Sequence, residues 1–140
     1  MIFYYIDNFR KSLKNLIKKD KGHCSSCASD IASDFNSKTY EEILISSTII
    51  ISESPIFLVK RRISNSCRHL SKRDGFRLYM IIDTNKESVT LCEIYSKRGK
   101  LSKVDLTTNE RRYLLEYYAD ELENDTLSEL DINNISAILI

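Results

Sequence analysis

The order of patterns along this chain predicts an α+β fold in one domain. One short strand and two helical-period stretches open the chain, three β-type runs fill its middle, and one further helical stripe follows them. The expected order is therefore β, α, α, β, β, β, α. That order describes an N-terminal strand and αα-hairpin packed on a twisted antiparallel sheet of about four strands, with a C-terminal helix.

The elements follow in turn. Ile2 to Ile6 is β-branched and aromatic, which suits a first strand. Asp7 or Asn8 caps the helix after it, where Phe9, Leu13, Leu16 and Ile17 share one face and Lys11, Lys14, Lys18 and Lys19 lie mostly opposite. Gly22 is expected to end that helix. Ser25 or Ser26 caps the next, with Ile31 and Phe35 four residues apart. Ile43 to Ser52 is a strand or an irregular extended segment. Pro55 opens a β-type run from Ile56 to Ser64, and Gly75 to Asp83 and Val89 to Ser96 are the next two strands. Thr84 to Glu87 is a polar turn, so the three runs form a meander. Thr107 or Thr108 with Glu110 begins the last helix, striped by Leu114, Tyr117, Tyr118 and Leu122. Asp131 to Ile140 ends apolar and either docks on the core or adds an edge strand.

The bulk properties narrow the class. The chain has 140 residues, a length that suits a single domain over 1–140, with 124–140 as a C-terminal extension. No apolar run approaches the roughly 20 residues of a membrane helix. The N-terminus has neither a basic start nor a small-residue cleavage site, so a cytoplasmic protein is expected. There is no internal repeat. Four cysteines in such a chain are expected to be free thiols. His23, Cys24 and Cys27 look like half a zinc site, but a structural zinc wants four ligands, so no metal site is expected.

Charge is distributed unevenly. Residues 60 to 103 hold twelve cations against four anions, a net +8, whereas 104 to 140 hold two against nine, a net −7. A net charge of +1 conceals this dipole. A concentrated basic segment on strands points to a polyanionic partner, most often a nucleic-acid backbone. Lys60 and Arg62, two apart on a strand, project from one face. Arg77 on the next strand sits beside them, and Lys97 and Arg98 close the third. Cations converging there repel one another unless a phosphate lies between them, and arginine offers a planar fork to its oxygens. The competing expectation is solvated strand faces, or ion pairs to the acidic C-terminal segment. The helices are expected on one face of the sheet and the cations on the other, as a concave basic surface.

Three stretches carry a resemblance. They are Phe57 to Asn65 with its Lys60 and Arg62, then Gly75-Phe76-Arg77-Leu78-Tyr79, then Leu91 to Arg98. Together with the N-terminal strand and hairpin, they resemble the RelE/HigB-type toxins of bacterial toxin–antitoxin systems, over most of residues 2 to 122. The resemblance implies a RelE-like, microbial-RNase-like fold. It also implies a ribosome-dependent endoribonuclease that cuts messenger RNA without metal or cofactor, by attack of the RNA's 2′-hydroxyl on the adjacent phosphate. Carried over by position, Lys60 and Arg62 orient the RNA and help activate the 2′-oxygen, Arg77 braces the scissile phosphate, and Arg98 assists the leaving 5′-oxygen. Arg61, Arg68, Lys72, Arg73, Tyr95, Lys97, Lys100 and Lys103 are the expected RNA contacts. The family's base-stacking tyrosine or histidine is absent from Lys100 to Leu106, where Tyr95 or His69 would substitute. The implied partners are a cognate antitoxin protein, messenger RNA and the ribosome. The related ParE toxins share the scaffold and poison DNA gyrase instead, so an inhibitor or RNA-binding relative without chemistry is the alternative.

Overall fold

A computed structural model describes residues 1–140 as an α+β domain around a six-stranded mixed sheet. Strand β1 (Ile2–Tyr5) leads into helix α1 (Asp7–Lys19), the short turn of helix α2 (Lys21–Cys24) and helix α3 (Cys27–Phe35). Phe9, Leu13 and Leu16 are the buried stripe of α1. Neither Asp7 nor Asn8 caps it. Ile6 holds the cap position, and Asp7 instead ion-pairs with Arg10 and Lys11 within the first turn. The helix ends at Asp20, two residues before Gly22, which falls inside α2. Ser26 precedes α3, but its hydroxyl donates to the Asp30 carboxylate and accepts from the Cys67 amide, and bonds no amide of the helix itself.

The segment from Ile43 divides between two elements. Thr39 accepts a hydrogen bond from the Glu42 amide and caps helix α4 (Tyr40–Ile45); strand β2 (Thr48–Glu53) begins only afterwards. A local cap at Thr39 outweighs the β preference of its isoleucines. Strands β3 (Ile56–Ile63), β4 (Phe76–Asp83) and β5 (Ser88–Ser96) follow, and β2 to β5 form an antiparallel meander. Strand β1 lies parallel to β5 on its far side. A capping box of Thr107 and Glu110 starts helix α5 (Thr108–Glu123). The closing segment Asp131 to Ile140 takes one of its two expected courses and docks on the core, while the edge strand comes from the residues just before it. Strand β6 (Ser128–Glu129) pairs with β1 at the sheet edge, and a helical turn at Ile135–Leu139 docks on the core through Ile135. The strand order is β2-β3-β4-β5-β1-β6.

Two expectations about the architecture are overturned. The sheet is mixed and six-stranded rather than antiparallel with about four strands, because β1 joins it parallel to β5 and β6 adds an edge. The helices do not keep to one face. Every residue of β4 and β5 is buried, which requires cover on both sides. Helices α1 and α3 cover Phe76, Leu78, Met80 and Ile82, whereas α5 covers Tyr79, Ile81 and Cys92 through Leu114, Leu115 and Tyr118. The second set of alternating residues on β4 already contained Tyr79 and Ile81, both apolar enough to need a partner helix. The basic surface is therefore confined to one end of the α5-facing side.

A β-bulge positions that end. Tyr79 pairs with Glu93 but Met80 pairs with Leu91, so Cys92 is an extra residue on β5. The alternation slips by one there: Leu91 and Ile94 face α1, while Cys92 and Tyr95 face α5. Without the bulge, Tyr95 would lie beneath α1. No helix is long and apolar enough to cross a membrane.

Candidate nucleic-acid interface

Past Tyr79, toward the start of β4, the α5-facing side carries Arg77. Its cross-strand neighbours are Arg62 on β3 and Tyr95 on β5. One row further in, Lys60, Tyr79 and Glu93 are aligned in the same way. The loop before β4 and the segment after β5 rise beside this end and enclose a cleft of about 470 Å³. Its walls are Arg62, Arg73, Asp74, Arg77, Lys97, Arg98, Ser102, Lys103 and Val104. Six cations face one anion there, a net +5.

Each wall is held in place. Gly75 lies just before β4 and packs against the end of β3, where a Cβ would run into the Ile63 carbonyl oxygen. Its own carbonyl accepts from the Lys97 amide at 3.0 Å, which fixes the end of β5 against the start of β4. Arg77 is 6% exposed. Its guanidinium donates to the carbonyls of Lys72 and Phe76 through one nitrogen and to that of Arg73 through another, at 2.6–3.1 Å. It thus shapes the loop that forms the wall while lining the cleft. Burial, and then the Arg62 charge beside it, lower its pKa from the ordinary arginine value. Arg98 reaches across to Asp74 at 2.8 Å. The hydrogen bond from Arg98 holds the Asp74 carboxyl below the usual carboxylate range. Lys97 donates to the Val104 carbonyl at 3.1 Å and ties the strand end to the far wall. No ion pair engages Arg62, Arg73, Lys97 or Lys103.

Behind the cleft, Asp105 gathers five donors. These are Lys60 and Arg111, each at 2.9 Å, the hydroxyls of Tyr79 at 2.5 Å and Tyr95 at 3.2 Å, and the Leu106 amide at 2.7 Å. Burial alone would raise its pKa, but the bonds from Tyr79, Lys60 and Leu106 outweigh burial and hold the carboxyl well below its ordinary value. Burial and the Asp105 charge push both tyrosines up, so both phenols stay protonated donors. This residue was not read from the sequence as part of the site. Its only signal was its place as the first anion after the basic block.

The structure thus brings Arg62, Arg77 and Arg98 together, with Arg73, Lys97 and Lys103 around them. It does not bring in all the expected residues. Arg61 is a correction: it points to the α1 side, is 4% exposed, and ion-pairs with Asp34 while donating to Ser46, Ser47 and the Ile43 carbonyl. Strand alternation sends it opposite to Lys60 and Arg62. Tyr95 is a second correction. At 2% exposure, with its ring against Tyr79, it offers no face to a base. Lys60 shares the expected face but is engaged by Asp105, the acidic-segment ion pair that was the competing expectation. Lys72 pairs with Asp34, while Arg68, His69 and Lys100 are exposed outside the cleft.

The four cysteines are free. Cys24, Cys27 and Cys92 are buried and Cys67 is exposed. No three side chains of the metal-ligating types converge. No protein-family model matches the chain, and no curated protein is significantly similar to it.

Proposed function

We propose that this chain is an RNA-cleaving toxin of the RelE/HigB kind, built on a RelE-like arrangement of strand, helical hairpin and meander. It would act on messenger RNA at the ribosome and be held in check by a cognate antitoxin. The observation that carries the reading is the cleft of six cations, in which Arg62 and Arg77 lie side by side on adjacent strands and Arg98 comes from the end of the third. A phosphodiester seated there has a fork on either side. The RNA's 2′-oxygen attacks the adjacent phosphorus, the bond from phosphorus to the 5′-oxygen breaks, and a cyclic 2′,3′-phosphate and a 5′-hydroxyl result. The 2′ proton is lost to water and the departing oxygen takes one up. The protein's contribution is in-line positioning and cations that offset the charge of the pentavalent transition state.

In this reading Arg62 and Arg98 touch the phosphate, Arg77 shapes the loop and adds charge from the floor, and Lys60 fixes the rear wall through Asp105. The second reading is an RNA- or protein-binding relative without chemistry. It is favoured by one observation. The groups near the cleft able to exchange a proton are already engaged: Asp74 with Arg98, and both phenols with Asp105. Expression in bacteria separates the two. Growth arrest with new messenger-RNA 5′ ends inside translated codons, lost in Arg62→Ala and Arg98→Ala, supports the nuclease. Arrest with intact messages removes the cleavage reading and leaves a binding toxin.

A further inference from the structure

The cleft is unusual in what it lacks. Single-stranded RNA is read by stacking its bases on aromatic rings or guanidinium planes, and by hydrogen bonds to the base edges. The nine wall residues include no aromatic ring and no carboxamide. The two phenol rings nearest to it, Tyr79 and Tyr95, are packed against each other with their hydroxyls on Asp105, turned away from any incoming base. Tyr113, the one large exposed aromatic, stands on α5 at a different cavity, with Asn8 and Glu93. The only wall carboxylate able to accept from a base amino group, Asp74, is taken by Arg98. The edges of the Arg77 guanidinium are spent on loop carbonyls. What remains free is Arg62, Arg73 and Lys103, with Lys97 held only by the Val104 carbonyl, and these suit phosphate oxygens. A base stacked on a guanidinium plane is held whatever its identity.

We infer that this cleft binds single-stranded RNA through its phosphates and discriminates no base. The inference rests on the reading of the cleft as an RNA site and deepens it by naming the substrate class. Any sequence preference in the proposed cut then comes from whatever presents the RNA to the cleft, not from the cleft.

The test is fluorescence anisotropy with the full chain and short labelled strands of equal length: poly-A, poly-C and poly-U RNA, and an abasic phosphodiester strand. The expected dissociation constants agree within about threefold, as backbone-tracking sites tolerate any base. Arg62→Ala and Lys103→Ala each flatten the dependence of log affinity on log salt by about 0.7, the value per phosphate neutralised on a single strand. A tenfold or greater preference for one homopolymer, or failure of the abasic strand where RNA binds, overturns the inference and leaves the RNA site standing. Equal binding of every strand upholds the inference whether or not the free strands are cut, because the proposed cleavage takes place at the ribosome. Binding of none overturns the inference, and the cleavage reading then stands or falls on the expression experiment.

Discussion

Lys60 and Asp105 are joined by an ion pair of 2.9 Å that ties strand β3 to the segment leading into α5. The pair is only partly exposed, and it is reinforced by Arg111 and by the hydroxyls of Tyr79 and Tyr95. One carboxylate therefore couples three strands, a helix and the rear wall of the cleft.

Removing that charge is expected to be costly. Asp105→Asn leaves Lys60 and Arg111 without their counter-ion, and the loss should be about 2 kcal/mol, the scale of hydrogen bonds to charged groups at a partly exposed site. Urea denaturation measures it. The pH dependence follows from the direction of the shift. The folded-state pKa of Asp105 is depressed, so its stabilisation is fully present above the ordinary aspartate value and is lost as pH falls below about 4 toward the folded value. Wild type should lose stability over that acid range more steeply than Asp105→Asn. Equal slopes would show that Asp105 does not titrate as described.

The buried pair of Arg61 and Asp34 is expected to behave differently. Breaking it from one side, as in Asp34→Ala, strands a guanidinium in the core and should cost about 3–5 kcal/mol. Arg61→Met combined with Asp34→Leu should recover much of that loss. RNA binding by the folded double variant should match wild type, because Arg61 faces away from the cleft. Weaker binding by the stable double variant would return Arg61 to the interface.

Asp74 is the only anion in the cleft wall, and it holds Arg98 in the free protein. Its replacement, Asp74→Asn, frees that arginine and removes a charge that repels phosphate. The expected gain in affinity for single-stranded RNA is about fivefold, since the pair is solvent-exposed and worth little to the free protein. Unchanged or weaker binding would mean that the ion pair supports the wall rather than competing with the ligand.

The thiols should separate by burial. At neutral pH a water-soluble disulfide reagent is expected to modify Cys67 quickly and to leave Cys24, Cys27 and Cys92 protected until the chain is denatured. Burial, with the nearby Asp20 charge, pushes the Cys24 thiol up to about 11, which keeps it in the unreactive form. Mass spectrometry of the modified protein reads the outcome. Rapid labelling of Cys24 would show that the corner between α1 and α3 opens in solution.

Much of this was legible from local pattern. The helical stripe of Phe9, Leu13 and Leu16, the capping box of Thr107 and Glu110, and the three strands of the meander depend on residues close in sequence, so periodicity and capping chemistry sufficed to place them. The shared face of Lys60 and Arg62 followed from alternation alone. The same rule already sent Arg61 to the opposite side, although total charge suggested that it belonged with its neighbours.

What the chain's local patterns left undecided required the packed molecule. Helix α5 takes the second face of the sheet because Tyr79, Ile81 and Cys92 need cover that no nearby residue supplies. The bulge at Cys92 turns Tyr95 inward, and no local preference marks a register slip that depends on the pairing of β4 with β5. The partners Asp34 for Arg61, Asp105 for Lys60 and Asp74 for Arg98 are separated from them by 27, 45 and 24 residues. Sequence alone therefore determined the main helices, the meander strands and the concentration of cations, but not helix α4 or the edge strand β6. Only the tertiary structure decided which of those cations are neutralised and which remain to meet a phosphate, because ion pairing depends on distances in space that the order of residues does not contain.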